Sequence, residues 1–216
     1  MPDSTAAASV AESASARKHR AILGAAEQMF LRGGYLGTNM DELAAVSQVS
    51  KQTVYKHFGS KEALFVELVT TMTDAAGDRV HNEVADPAEA SEVPAYLRAY
   101  AERQLDVVMT PSLLQLRRLV IGEVGRFPEL ARALYESGPR RAMSSLAAAF
   151  TRLHERGLLS IEDPDVAASQ FNWLVMAAPL NDAMLLGDDA IPDARARRRH
   201  VADAVRTFLA AYGPRA

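Results

Sequence analysis

The chain has no cysteine among its 216 residues. This excludes disulfide staples, cysteine-ligated zinc sites and thiol catalysis, and it fits a reducing compartment, so a cytoplasmic location is expected. No apolar run approaches membrane-spanning length, and no membrane partner is expected. Catalytic signatures are missing too. The five histidines, His19, His57, His81, His154 and His200, are scattered, and neither a His-Glu-x-x-His pair nor a Gly-x-Ser-x-Gly elbow occurs. An enzyme is therefore not expected, nor is a metal or a cofactor. The glycines of residues 33–37 could suggest a phosphate loop, but they follow a helical pattern rather than a strand, and no Gly-Lys-Ser or Gly-Lys-Thr accompanies them. Positive charge is absent from the first sixteen residues, which are rich in Ala and Ser, include Asp3 and Glu12, and lack the apolar run of a secretory signal. They are expected to form a disordered arm, and with no Lys or Arg before Arg17 they do not resemble a basic arm for a minor groove.

What is present begins with hydrophobic content of 49%, enough for one or two packed helical domains in a chain of this length. No alternating strand pattern competes with the helical spacing. Ile22, Ala25, Ala26, Met29 and Phe30 mark one helix, stopped by Gly33-Gly34. A second, short helix is capped by Asn39, with Glu42 placed to return a bond to the cap; after a turn at Ser47-Gln48, a third starts at Ser50. Ser60 caps a fourth, which carries Leu64, Leu68 and Met72 toward about Val84 before Asp86-Pro87 breaks it. Further helices are expected from Pro94 to before Pro111, from Leu113 to Gly125, from Pro128 to about Gly157 with a break or kink at Gly138-Pro139, from Pro164 to Leu186, and from Pro192 to Tyr212. The fold class is all-α, with about nine helices.

Short helix, turn, helix within residues 40–58 is the layout of a helix-turn-helix, whose second helix enters a DNA groove. That helix offers Lys51, Gln52, Thr53, Lys56 and His57 beside apolar Val54 and Phe58. Charge agrees. Residues 17–62 hold seven Lys or Arg against four acids, a surplus of three, whereas the whole chain stands at −3, so the remainder carries −6. All four lysines, Lys18, Lys51, Lys56 and Lys61, fall in this head, which concentrates attraction for phosphate there. The expected DNA contacts are Thr38, Ser50, Lys51, Gln52, Thr53, Tyr55, Lys56, His57 and Lys61. Thr38, Tyr55, Lys56 and Lys61 are assigned to phosphate, and Gln52 and Thr53 to base edges.

In order and spacing, Gly34-Tyr35, Thr38, Leu43-Ala44, Val49-Ser50, Tyr55-Lys56-His57-Phe58 and Lys61-Glu62-Ala63-Leu64 resemble the signature of the TetR family of bacterial transcriptional regulators. One departure is Gln48, where the family usually has Gly at the turn. Farther on, Arg117-Arg118-Leu119-Val120-Ile121-Gly122-Glu123 and Arg126-Phe127-Pro128-Glu129-Leu130 are similar to the effector domain of one subgroup, over roughly residues 95–187. The resemblance implies three regions: an arm at 1–16, a DNA-binding head at 17–62, and an effector-binding and dimerisation body at 63–216. It further implies a homodimer on a near-palindromic double-stranded operator, acting as a repressor released by a small-molecule effector. An activator and a non-specific DNA-packaging protein with the same head are the alternatives.

A ligand pocket is likewise implied, and Tyr96, Tyr100, Arg117, Glu123, Phe171, Asn172, Trp173, Met176 and Asn181 are the side chains expected near it. Pro179 should kink its helix and free backbone groups for a neighbour or a ligand. Val201, Ala204, Val205, Phe208, Leu209 and Tyr212 recur on one face of the last helix, as core or as a dimer seam, the seam being favoured.

Overall fold

The computed structural model describes residues 13–81 and 85–214. Among them the secondary structure is helical: α1 (Ala14–Gly37), α2 (Met40–Val46), α3 (Lys51–Phe58), α4 (Lys61–His81), α5 (Val93–Val108), α6 (Pro111–Glu123), α7 (Pro128–Tyr135), α8 (Arg141–Glu155), α9 (Pro164–Leu186) and α10 (Ala194–Tyr212). A π-helical stretch, Glu136–Arg140, joins α7 to α8, so these ten segments make nine rods, and no strand occurs among the described residues. The chain divides into two compact units between Leu68 and Val69, inside α4. That division falls six residues beyond the boundary expected at 62. Residues 1–12 of the expected arm lie outside the described residues. Its last residues do not belong to an arm, because Ser13 caps α1 by accepting from Ala16 N at 3.1 Å.

In the first unit α1 and α4 meet through rings. Phe30 stands edge-on to Phe65 at 4.7 Å and stacks with Tyr35 at 5.8 Å, contacts worth about 0.5–1.5 kcal/mol each beyond the area they bury. The backbone turns where the sequence punctuates it. Gly34 takes φ +75° and interrupts the α1 helix, which a side chain would resist. Gln48 takes φ +55°, the left-handed conformation that Gly adopts freely and that costs a residue with a Cβ on the order of 1 kcal/mol. The turn geometry is thus kept in spite of the substitution, at some expense in stability.

The second unit buries a phenylalanine cluster. Phe208 of α10 lies 5.0 Å from Phe171 of α9 and 5.2 Å from Phe150 of α8, while α10 packs on both α5 and α9. Two helix starts follow the sequence closely: Asp163 Oδ1 accepts from Asp165 N and Val166 N, and Asp193 Oδ1 accepts from Ala196 N at 2.7 Å, which moves the start of α10 from Pro192 to Ala194. Pro111 itself, not Leu113, opens α6. α9 continues through Pro179 as one helix. Proline has no N–H to give Val175, four residues back, and His200 Nε2 of α10 approaches that carbonyl at 2.8 Å instead. The freed backbone group has found a neighbour, as Pro179 required.

Candidate functional site

The first unit presents α3 as an amphipathic rod. Val54 and Phe58 are buried one turn apart, and Lys51, Gln52, Tyr55 and Lys56 are exposed on the opposite side. The helix starts where Ser50 Oγ accepts from Thr53 N at 3.1 Å; the two hydroxyls, Ser50 Oγ and Thr53 Oγ1, are also 2.8 Å apart, so both are engaged in the cap. His57 is half-buried beside His19, with ring centroids 5.7 Å apart, and His19 in turn stacks on Phe58 at 4.6 Å and meets Glu67 Oε1 at 2.5 Å. At the front of α2, Asn39 Oδ1 accepts from Asp41 N at 2.8 Å, while Glu42 stays exposed. Lys51 Nζ donates to Asp41 Oδ2 at 3.0 Å, and this bond raises the Lys51 pKa above its ordinary value. Both partners are exposed, so the ion pair is weak and exchangeable for a phosphate.

Two expected contacts are placed differently. Thr38 is buried and donates its hydroxyl to Gly34 O at 2.9 Å, closing the kink inside α1. Lys61 Nζ donates to Thr38 O at 2.7 Å and sits 5.0 Å from the centre of the Tyr35 ring. Thr38 braces the segment between α1 and α2 from the inside, and half-buried Lys61 braces it from α4. Their side chains hold the head together rather than reach outward, and the sequence signal for a cation near the reading helix did not separate these roles.

The second unit contains a cavity of about 90 Å³ among α4, α5, α6, α9 and the α7–α8 junction. Of the nine residues expected near a pocket, Arg117, Asn172, Trp173 and Met176 line it. Tyr96, Tyr100 and Phe171 are instead part of the hydrophobic core, where burial pushes both tyrosine hydroxyls up from their ordinary pKa. Glu123 and Asn181 are not on the cavity wall, and Asn181 is exposed on α9. Gln104 was missed. It stands at helical spacing on the buried stripe of α5 with Leu97, Tyr100 and Ala101, and a polar residue in such a stripe is the signal that would have found it. Gln104 is 4% exposed and donates from Nε2 to Asn172 Oδ1 at 2.8 Å, while its own Oε1 has no partner among the described residues.

The wall opposite is shaped by the π-helical stretch, which brings Gly138 and Pro139 to the cavity. Arg141 locks this junction to α4, donating to Asp74 Oδ1 at 3.1 Å and to Asp78 Oδ1 at 2.6 Å. A Cβ on Gly77 would stand 3.3 Å from Arg141 Nη1, so glycine makes room for the clasp. Arg117 and Arg118 differ sharply. Arg118 donates to Asp188 and to Ala183 O, whereas the Arg117 guanidinium has no hydrogen-bond or ion-pair partner among the described residues.

Such a head and such a body describe an all-α regulator with a helix-turn-helix. Residues 22–68 match the family model for bacterial regulatory proteins of the TetR family, and residues 95–214 match that for the AefR-like transcriptional repressor C-terminal domain. The chain belongs to the TetR family of DNA-binding transcriptional regulators. A solved TetR-family structure from Mesorhizobium loti is 38% identical, covers 94% of this chain and 100% of its own, and superposes with a TM-score of 0.85. The flavonoid-responsive regulator FrrA is 32% identical over 93% of this chain and 99% of its own, with a TM-score of 0.76. Likeness to the regulator QacR of Staphylococcus aureus is confined to the head: 42% identity over 48 residues, 22% of this chain and 26% of that protein. These relatives are regulators of transcription, not enzymes.

Proposed function

We propose that the protein is a repressor that binds a near-palindromic operator as a homodimer in the cytoplasm and is released when a small molecule enters the cavity of its second unit. The observation that carries the DNA reading is the polar face of α3, Lys51, Gln52, Tyr55 and Lys56, held outward by the buried anchors Val54 and Phe58. Gln52 suits a base edge and Lys56 a phosphate. Residues 17–62 are the reading head in this account, and residues 63–216 the effector and dimerisation body.

The dimer seam lies on α9. Val166 and Trp173 are exposed large apolar side chains seven residues apart on one helical face, Trp173, Ala177 and Leu185 border one groove farther along α9, and burying such a surface against a second copy removes it from water. This replaces the stripe of α10 favoured from sequence: Val201, Ala204, Val205 and Phe208 are buried in the monomer's own core. The effector part is supported by the apolar cavity and by the name of the relative FrrA, which is flavonoid-responsive; a compact aromatic molecule suits the same kind of wall here. At about 90 Å³ the cavity is smaller than the roughly 300–1,000 Å³ of ligand pockets, so the effector must widen it, and that widening is what couples binding to release.

Selection of fragments of the source genome bound by the protein, followed by titration against the recovered site and a random duplex, tests the reading. A preference of about 10³-fold or more at physiological salt is expected of a regulator. Equal affinity for both duplexes would mark a DNA-packaging protein, and loss of transcription from the neighbouring gene in a strain lacking the protein would mark an activator.

A further inference from the structure

Arg117 is the one cationic side chain on the cavity wall among the described residues. It lines the cavity from α6 in a wall made largely of aliphatic side chains, and it has no ion-pair partner among the described residues, while its neighbour Arg118 is neutralised by Asp188. Burial alone pushes the Arg117 guanidinium down from its ordinary pKa, yet an arginine stays cationic at any physiological pH. A half-buried cation that faces an aliphatic wall without a counter-charge is costly to the empty protein. Gln104, which lines the same cavity from α5, carries a second unmet demand: its Oε1 is an acceptor shut off from water and without a partner among the described residues, on a side chain fixed by its bond to Asn172. An occupant that met both demands would be anionic at one point, a donor at another, and apolar elsewhere.

Building on the reading of this cavity as the effector site, we infer that the effector is a weak acid: a compact apolar body whose carboxylate or phenolate oxygen pairs with Arg117, bearing a hydroxyl or N–H that donates to Gln104 Oε1. A charge-assisted bond in this dry setting supplies discrimination as well as affinity, because a neutral analogue would leave the cation unpaired. Affinity then depends on the ionised form of the ligand, and the aliphatic wall accepts a range of bodies.

The test uses the full chain and two matched pairs of probes, each keeping a free hydroxyl as donor for Gln104 Oε1: 4-hydroxycinnamate with its methyl ester, and 4-nitrocatechol, ionised at the hydroxyl para to the nitro group near neutral pH, with 2-methoxy-5-nitrophenol, the methyl ether of that hydroxyl. Calorimetric titration and melting temperature should show at least one anion bound about tenfold or more tightly than its neutral partner, and the pair that does so separates a carboxylate from a phenolate. Arg117→Met should erase the preference, and it should raise the melting temperature of the ligand-free protein, which a merely structural arginine would not do. Arg117→Gln, which keeps polarity without charge, should likewise erase the preference and serves if the methionine variant does not fold. Neutral probes binding as tightly as the anions, or a preference that survives both substitutions, would overturn the weak-acid claim and leave the cavity reading intact. If none of the four probes binds or stabilises the protein, the cavity reading falls with it.

Discussion

Lys56 and Lys61 sit five residues apart with the same charge and opposite employment. Lys56 is exposed on the outer face of α3, whereas Lys61 donates to Thr38 O at 2.7 Å beneath the Tyr35 ring. Lys56→Ala should therefore leave stability nearly unchanged, weaken operator and random duplex alike, and lower the slope of log affinity against log salt by about one. Lys61→Ala should lower stability by about 1–3 kcal/mol, since it removes a hydrogen bond from a charged donor, and thermal melting checks it. Gln52→Ala should lose mainly the preference for operator, on the order of 1–3 kcal/mol in competition binding. The sequence made the amphipathic face of α3 legible because Val54 and Phe58 recur at helical spacing with polar residues between them. It did not show that Thr38 and Lys61 face inward, since an inward bond to a backbone carbonyl leaves no trace in residue type.

At the scale of the elements, proline and histidine on different helices depend on each other. Pro179 deprives Val175 O of its helical donor, and His200 supplies one at 2.8 Å from α10. His200→Ala should leave that carbonyl unpaired at a cost of about 1–3 kcal/mol. In a Pro179→Ala background residue 179 regains an N–H, so the same histidine substitution should cost clearly less; denaturant melts of the four proteins measure the difference, and additive costs would show that the two residues act independently. Pro179 pointed from sequence to a freed backbone group, and the expected helix starts hold to within a few residues among the described residues because Ser, Asn and Asp caps and N1 prolines specify them locally, while the end expected near Val84 lies outside the described residues. The partner of that freed group was not legible. It comes from a residue 25 positions away, and helical periodicity carries no information on which helices pack together. The same blindness explains the pocket: aromatic residues were favoured for it, yet Tyr96, Tyr100 and Phe171 fill the core, while the unremarkable Gln104 faces the cavity.

For the whole molecule, the proposed seam and the core call for opposite outcomes. Phe208 is 1% exposed among Phe150, Phe171 and Tyr212, so Phe208→Asp should unfold the second unit rather than yield a folded monomer, and circular dichroism will show it. Trp173 is 50% exposed and Leu185 75% exposed on α9, so Leu185→Glu should keep the helical signal and halve the mass seen by light scattering. The central claim joins cavity to operator, and Trp173, the single tryptophan, lies on the cavity wall and reports its filling directly. The decisive measurement is operator affinity as a function of cavity occupancy, followed by Trp173 emission in the same titration. Compounds that change this emission and raise the melting temperature should weaken operator binding, by a factor equal to that by which operator weakens them, since the two equilibria are linked. Compounds that fill the cavity and stabilise the protein while operator affinity stays constant would contradict the account.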